Sequence, residues 1–523
     1  MGIAFAPRNS LIPGGTGDLQ AELNGPFGSG ASTAPDGVRW AQAAICIAAF
    51  CIALWATRNI SPLNPDTPSY LYFDPSRTVG YPVFLWLVRL LTGHVAAAVP
   101  LQMVLLSASL FVLGRSFHDL VGSPKLSLVF QIFLVSSPDV WRFAAELMTE
   151  ALATASMALW CAQLLRLIRR PSRSGYFLLA VICAAGMLIR PSLAVLFAGA
   201  AVAALLLECG RQRRFAVLTL IPIALGAYLL TPVALFFVHG SPTATSPLPR
   251  GVLQHTLFCD GAAIFDDRDA IFVDRESAAV RQYVESAPAD IGIALQHLYS
   301  APLRFGSIIP GLGRLHHFDA SWQTDPIIGR IARARVEADP LCYARSVLRN
   351  YWELATQASL HVGGEGAKVD RFLALHSPVQ ISSDPLPSDA QELKRAAAEL
   401  HVPAPTAQML IGHFGTRSSP LLLLLGRVLY GSAALVGLVS FFSLIGRRNT
   451  AWDNRNAVGL AAMGLVFHTL FLGTAVVELA LIRYTIPAWP TVCTVLAIAF
   501  AGMRARNWTG DVERPADLAS AML

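Results

Sequence analysis

Charge is what this chain has least of. Of 523 residues only 14% are Asp, Glu, Lys or Arg, where a soluble domain carries about a quarter. The deficit excludes an ordinary soluble globular protein. The formal net charge of +6 is modest, and its Lys and Arg residues collect in short loops, so nucleic acid is not an expected partner. Metal-type spacing is missing too: the eight cysteines include no CxxC and no Cys/His pattern. Cys46, Cys51, Cys161, Cys183, Cys209 and Cys493 lie in or beside apolar runs, where cysteine behaves as a small hydrophobe. Cys259 and Cys342 fall in polar sequence; they form a disulfide if that part meets an oxidising compartment, and otherwise stay as two thiols. No cleavable signal pattern is evident, because the first apolar run begins near Trp40. Residues 1–36, rich in Gly, Pro, Ser and Ala, read as a disordered tail. No strand-rich pattern and no internal repeat is visible.

Apolar sequence is abundant, at 54%, and it is clustered. A helix needs roughly 20 apolar residues to cross a bilayer. Runs at 39–57, 95–115, 124–138, 147–168, 175–190, 192–209, 215–238, 419–445, 457–477 and 484–503 predict about ten spans. The run at 124–138 is short, and the pair around Arg190–Pro191 reads as a tight helical hairpin. The fold class expected is an all-α polytopic membrane protein with a mainly helical periplasmic domain. Its parts are a tail (1–36), a membrane core (37–238), a water-exposed region (239–418), C-terminal membrane helices (419–506) and a second tail (507–523).

Orientation follows from the short loops, where Lys and Arg stay cytoplasmic. Arg115 with Lys125, the group Arg166, Arg169, Arg170 and Arg173, the group Arg211, Arg213 and Arg214, the group Arg447, Arg448 and Arg455, and Arg504 with Arg506 all fall on one side of a ten-span chain. Both termini are then cytoplasmic. The outer side receives 58–94, 138–147, 239–418 and the junction around Glu478–Arg483. Long loops cross regardless of charge, so the arginines of 239–418 do not oppose this. Within 239–418, segments Arg275–Ala294 and Arg330–Ala358 read as helices, and Ser382–Asp389 as a linker. The segment Gly80–Thr92, GYPVFLWLVRLLT, is too short to span and suits an interfacial helix on the outer surface.

The outer loops hold the residues suited to chemistry. Asp66 lies about eight residues after the first span. A carboxylate there stays wet yet close to the bilayer, which suits a general base for a hydroxyl; on spacing alone a turn aspartate satisfying backbone donors is the plainer account. Asp74, in DPS, is a second turn candidate. Glu146 and Glu150, in FAAELMTEALATA, are spaced to share one face of a helix entering the membrane. Buried carboxylates there are costly unless paired or functional; a helix-start Glu facing the helix dipole is the plainer account. Arg190, in MLIRPSLAV, and Arg483, in VVELALIRYTIPAWP, sit at the outer face against the positive-inside bias. Two guanidiniums there can hold a phosphate, or can pair with Glu478 or Glu150. His316 and His317 have Asp319 as their only evident acidic neighbour, which fits a surface loop better than a metal site.

Four segments together carry a resemblance: PDTPSY with RTVGYPVFLWL, then ELMTEAL, then LIRPS, then ELALIRYTIPAWP. In order, spacing and sidedness they resemble the GT-C superfamily of membrane glycosyltransferases. The likeness is to bacterial relatives of the protein O-mannosyltransferases and of the aminoarabinose transferases that modify lipid A. It covers about 39–238 and the final spans, and leaves 239–418 unmatched. The resemblance implies a sugar donor on a polyprenyl phosphate and an inverting transfer at the outer side of a bacterial inner membrane. It implies Asp66 as catalytic base, Glu146 or Glu150 as the second acidic position orienting the acceptor or a cation, and Arg483, with Arg190, on the donor phosphate. Two acidic candidates in one place depart from the family pattern, which shows one. Some relatives use a divalent cation and others none, so the metal stays open. The acceptor class is an envelope glycan, glycolipid or protein.

The alternative is a transporter or flippase of lipid-linked glycans; the charged residues gather at one face rather than at the midplane, and no inverted repeat with broken helices is visible. A scaffold protein whose outer region binds partners accounts for neither Arg190 nor Arg483. A membrane acyltransferase would need a deep histidine constellation, and His468 has no evident acidic or hydroxyl companion in the sequence.

Overall fold

The computed structural model describes residues 36–58, 61–63, 66–74, 77–208, 210–240, 336–356, 395–402, 420–446, 454–477 and 482–510, with a few isolated positions between 252 and 334. The N-terminal tail, His316, His317, Cys259, Glu478 and most of 239–418 lie outside the described residues. Among the described residues there is no strand, so the all-α expectation holds.

The elements are α1 (Asp36–Thr57), α2 (Thr67–Leu71), α3 (Gly80–Thr92), α4 (Ala98–Val121), α5 (Pro124–Val135), α6 (Pro138–Ala144), α7 (Glu150–Arg169), α8 (Arg173–Ile189), α9 (Val195–Leu207), α10 (Gly210–His239), α11 (Pro340–Thr356), α12 (Pro420–Gly446), α13 (Asn454–Val477) and α14 (Trp489–Gly510). Single 3₁₀ turns lie at Val95–Ala97, Pro191–Ala194, Ile482–Tyr484 and Ile486–Ala488. Helix starts follow local chemistry. Ser137 Oγ accepts from Val140 N–H before Pro138, and Ser172 Oγ accepts from Gly175 N–H at 3.1 Å. Each satisfies an amide that the first turn leaves unpaired.

Among the described residues seven helices are long and apolar enough to cross a membrane: Gly37–Thr57, Val95–Val121, Glu150–Arg169, Gly210–His239, Leu424–Ser443, Arg455–Val476 and Ile486–Met503. The other three expected spans form shorter apolar helices, at Pro124–Val135, Arg173–Ile189 and Pro191–Leu207. Large apolar side chains face outward along the bundle, among them Trp40, Ile47, Ile52, Leu218, Tyr228 and Phe237. Water does not tolerate so much exposed apolar surface, and lipid does. The protein is membrane-embedded.

The core centres on α7. Its sequence EALATASMALWCAQLL is rich in alanine, and it is buried on nearly every side; small residues let neighbouring backbones come close. Elsewhere α12 and α13 touch at Gly437 and Gly464, where a Cβ on Gly464 would stand 2.6 Å from the Gly437 Cα. Helices α1 and α4 run antiparallel: Gln42 Nε2 donates to the Gly114 carbonyl, and Ser107 Oγ to that of Cys46.

Polar groups collect at the two ends of the bundle. One end holds Arg115 beside Asp119, Arg166 donating to Ser116 Oγ (3.1 Å), and Tyr176 donating to Glu208 (3.0 Å). The other gathers 61–63, 66–74, 77–79, 145–150, Arg190, His239 and 482–488. There α3 buries Tyr81, Leu85 and Val88 and leaves Trp86, Leu90 and Leu91 outward. An apolar helix with both an inward and an outward face fits an interfacial position.

The described parts of 239–418 pack on the bundle. Tyr343 and Asn350 of α11 reach the Val476 and Ala475 carbonyls, and Tyr351 hydroxyl meets His468 Nδ1 at 2.6 Å. Residues Ala397, Leu400 and Val402 join the cluster of Leu63, Tyr70, Tyr81 and Leu147. Cys342 is disulfide-bonded, and every other described cysteine is free.

Candidate functional site

The first loop folds back on itself, and that sets the site. Pro68 opens the short helix α2. Thr67 Oγ1 donates to the Leu147 carbonyl (3.2 Å), and Leu147 N–H donates to that of Pro62 (2.7 Å). The loop is thereby stitched to the segment before α7. Phe73 takes a positive φ of 50°, uncommon for a bulky residue. After it, Arg77 N–H donates to the Asp74 carbonyl (2.8 Å), which agrees with the turn reading of Asp74. Gly80 seats this loop against α8: a Cβ there would lie 2.6 Å from the Leu188 carbonyl oxygen, and Thr78 Oγ1 donates to the neighbouring Ile189 carbonyl.

The turn returns Arg77 to Asp66. Its Nη2 meets Asp66 Oδ1 at 2.9 Å, its Nε donates to Ser69 Oγ at 2.8 Å, and its Nη1 to Tyr70 hydroxyl at 3.3 Å. The guanidinium also lies over the Tyr70 ring, 4.5 Å from its centre. All three nitrogens of Arg77 are therefore engaged within its own loop.

The second oxygen of Asp66 meets a residue 417 positions away: Arg483 Nη1 lies 2.7 Å from Oδ2. Arg483 is carried by the 3₁₀ turn Ile482–Tyr484. The segment after it is anchored by Tyr430 hydroxyl on the Thr485 carbonyl (3.0 Å) and by buried Ile486, Pro487 and Ala488. Arg483 Nη2 donates to Tyr484 hydroxyl (3.0 Å), while its Nε is buried with no hydrogen-bond partner among the described residues. The Tyr484 ring supports two cations, with Arg483 and Arg190 centred 5.0 and 5.2 Å from it. Arg190 Nη1 in turn pairs with Glu150 Oε1 at 3.3 Å.

Four of the five expected residues thus join one polar cluster: Asp66, Glu150, Arg190 and Arg483. Glu146 departs from its expectation. It does not share a helix face with Glu150, because 145–149 is not helical and Glu150 is the first residue of α7. The segment's backbone bonds go elsewhere: Gln102 Nε2 donates to the carbonyls of Ala144 (2.8 Å) and Glu146, and Leu147 binds Pro62. Glu146 is fully buried, at 0% exposure, and Gln102 Oε1 accepts from Tyr81 hydroxyl beside it (3.0 Å).

Burial alone pushes the Asp66 pKa up. The Arg483 and Arg77 guanidiniums outweigh it and hold the carboxyl well below the usual carboxylate range. Burial raises the Tyr70 phenol above its ordinary value despite Arg77, so it acts as a neutral hydroxyl. Tyr70, Arg77 and Tyr484 were not picked out as site residues by the sequence. Arg77 carried the same signal as Arg190 and Arg483, an arginine on the side where positive charge is disfavoured.

No family model, curated protein or solved structure matches this chain.

The arrangement therefore speaks through its own chemistry. It offers one carboxylate with lowered basicity, two cations converging on a tyrosine face, and a neighbouring interfacial helix. Among the described residues no group of three His, Cys, Asp or Glu is placed to hold a metal ion.

Proposed function

We propose that the chain is an inverting glycosyltransferase of the GT-C type, moving a sugar from a polyprenyl-phosphate donor to an acceptor hydroxyl of the cell envelope. The observation that carries this reading is the 2.7 Å contact of Asp66 with Arg483. A carboxylate able to take a proton and a cation able to hold a phosphate stand side by side, next to an apolar helix fit for the membrane interface. In this reading the acceptor oxygen attacks the anomeric carbon as its proton passes to Asp66. The carbon–phosphate oxygen bond breaks with its electrons on the phosphate, which Arg483 and Arg190 stabilise. Glu150 fixes Arg190.

In this reading the chain crosses a bacterial inner membrane ten times with both termini cytoplasmic, and the site faces the outer side. Its support is a contact: His239 ring nitrogen lies 2.8 Å from the Phe73 carbonyl. Ten passes put Phe73 and His239 on one side, whereas the seven long helices alone would separate them. The disulfide at Cys342 fits an oxidising compartment for that side.

The test uses membranes from cells expressing wild type or Asp66→Asn at matched levels and a donor labelled in its sugar and lipid. The expected result is release of free polyprenyl phosphate by wild type and a fall of at least about a hundredfold in the variant. Near-normal turnover in the variant removes Asp66 from the mechanism. Movement of intact donor between leaflets, without release, assigns the chain to the transporter class instead.

A further inference from the structure

A base held by two guanidiniums is a poor base, and the two are not held alike. Arg77 has every nitrogen bonded within its own loop, to Asp66, Ser69 and Tyr70. Arg483 arrives from a distant segment, spends Nη1 on Asp66 Oδ2 and Nη2 on Tyr484, and keeps a buried Nε without a described partner. It shares the Tyr484 ring with Arg190. The side chains of Arg483 and Arg190 remain 18% and 15% exposed, and that of Asp66 27%, so a small anion has access to the cluster.

The geometry points to a competition: Asp66 and a phosphate monoester or diester contend for Arg483, and the seated phosphate draws Arg483 away and unmasks Oδ2 as a base. This rests on the glycosyl-transfer reading for what the base then does, but the competition itself is a binding property. Arg77 stays on Oδ1 and is a positioning residue, holding the carboxylate so that Oδ2 faces the gap. Tyr484 is the platform on which the guanidinium swings towards Arg190. In the transfer step the acceptor hydroxyl gives its proton to Oδ2, its oxygen bonds the anomeric carbon, and the phosphate leaves with the electron pair of the broken bond. Water takes the proton from Asp66 afterwards. In the empty site the carboxylate is neutralised on both oxygens, so it does not activate water against a donor that is only partly seated.

The experiment measures binding, not turnover. Full-length protein in lipid nanodiscs is titrated with farnesyl phosphate and, in a parallel arm, with inorganic phosphate. Asp66→Asn removes the competitor, and the expected result is farnesyl phosphate bound about tenfold tighter than by wild type, the scale of one charge-assisted hydrogen bond. Arg483→Ala is expected to bind about tenfold more weakly. Glu399→Gln removes an equal charge beside the same loop, where it accepts from Tyr72 hydroxyl and Arg395, without touching Arg483 or Arg190, and is expected to change affinity much less. Asp66→Ala gives the same reading should Asn not be tolerated. Unchanged or weaker binding by both Asp66 variants overturns the competition, as does equal tightening in Glu399→Gln, which would reduce the effect to net charge. Tighter binding of farnesyl phosphate than of inorganic phosphate supports a lipid headgroup as the anion; equal affinity overturns that identity. Tightening in a protein that releases no polyprenyl phosphate would leave the competition standing and remove the enzyme. Transfer without tightening would do the reverse.

Discussion

Arg77 is the residue on which the resting state of the site depends most. Its fork satisfies Asp66, Ser69 and Tyr70 together, and its removal leaves a partly buried carboxylate with one cation instead of two. Arg77→Ala is expected to destabilise the fold by about 1–3 kcal/mol. The pH dependence has a definite sign. Asp66 has a depressed folded-state pKa, below the unfolded value of about 3.9. Its ion pairs therefore stabilise fully above that value and lose effect as pH falls towards the folded value. The gap in melting temperature between wild type and Asp66→Asn, which has no charge to lose, should be widest near neutrality and narrow below about pH 4; a gap constant from pH 7 to pH 3 would remove the electrostatic account. Arg77→Lys keeps the charge but not the planar fork, and should recover part of the loss. Arg190 and Arg483 were visible in the sequence because positive charge is disfavoured at the outer face, and Asp66 because a carboxylate there stays wet yet close to the bilayer. Tyr70 and Tyr484 were not, since an aromatic residue near a membrane interface is ordinary and only the fold shows which cation covers its ring.

Element placement depends on close backbone approach as much as on apolarity. The interfacial helix α3 is docked through Gly80, where any Cβ meets the Leu188 carbonyl. Gly80→Ala must push α3 from α8, strain the Thr78–Ile189 bond and shift Arg77 three residues upstream. Transfer activity is expected to fall about tenfold or more, since reacting groups tolerate little misplacement. Gly226→Ala is the matched comparison: no atom lies within 4 Å of its Cβ position in α10, so activity and stability should stay near wild type. Equal activity in the two variants would show that the Gly80 contact does not position the site. The extent of α3 was legible, because a mostly apolar run of thirteen residues is too short to cross, and in the structure Gly93, with φ 77°, ends the helix. The break at 145–149 was not. FAAELMTEALATA has helical periodicity throughout, and the bonds that unwind it come from Gln102 and Pro62, partners that no local pattern reveals.

At the scale of the molecule the question is how many times the chain crosses. Hydropathy marked ten runs, and the structure gives seven full-length helices and three shorter ones; α5, with 12 residues, extends only about 18 Å against a hydrocarbon core of about 30 Å. Such a helix serves as a pass only if the bilayer thins around it or its flanking turns stay at membrane depth, packed inside protein. The two counts make opposite statements about Thr92 and Ser174, both exposed. Counting the long helices alone, one pass precedes Thr92 and three precede Ser174, which puts both on the same side. With α5 as a pass, four precede Ser174, and the two face opposite sides. Single cysteines at these positions, in a background with Cys46, Cys51, Cys161, Cys183, Cys209 and Cys493 replaced and Cys342 retained, can be challenged in intact cells with a membrane-impermeant maleimide. Labelling of Thr92→Cys from outside, with Ser174→Cys reactive only after the membrane is opened, is the expected result. It would place Asp66 and Arg483 at the outer leaflet, where a lipid-linked donor can reach both. Labelling of both from one side would make α5 a re-entrant element, and the basic loops around Arg115 and Arg166 would then face opposite compartments, against the charge bias from which the orientation was read.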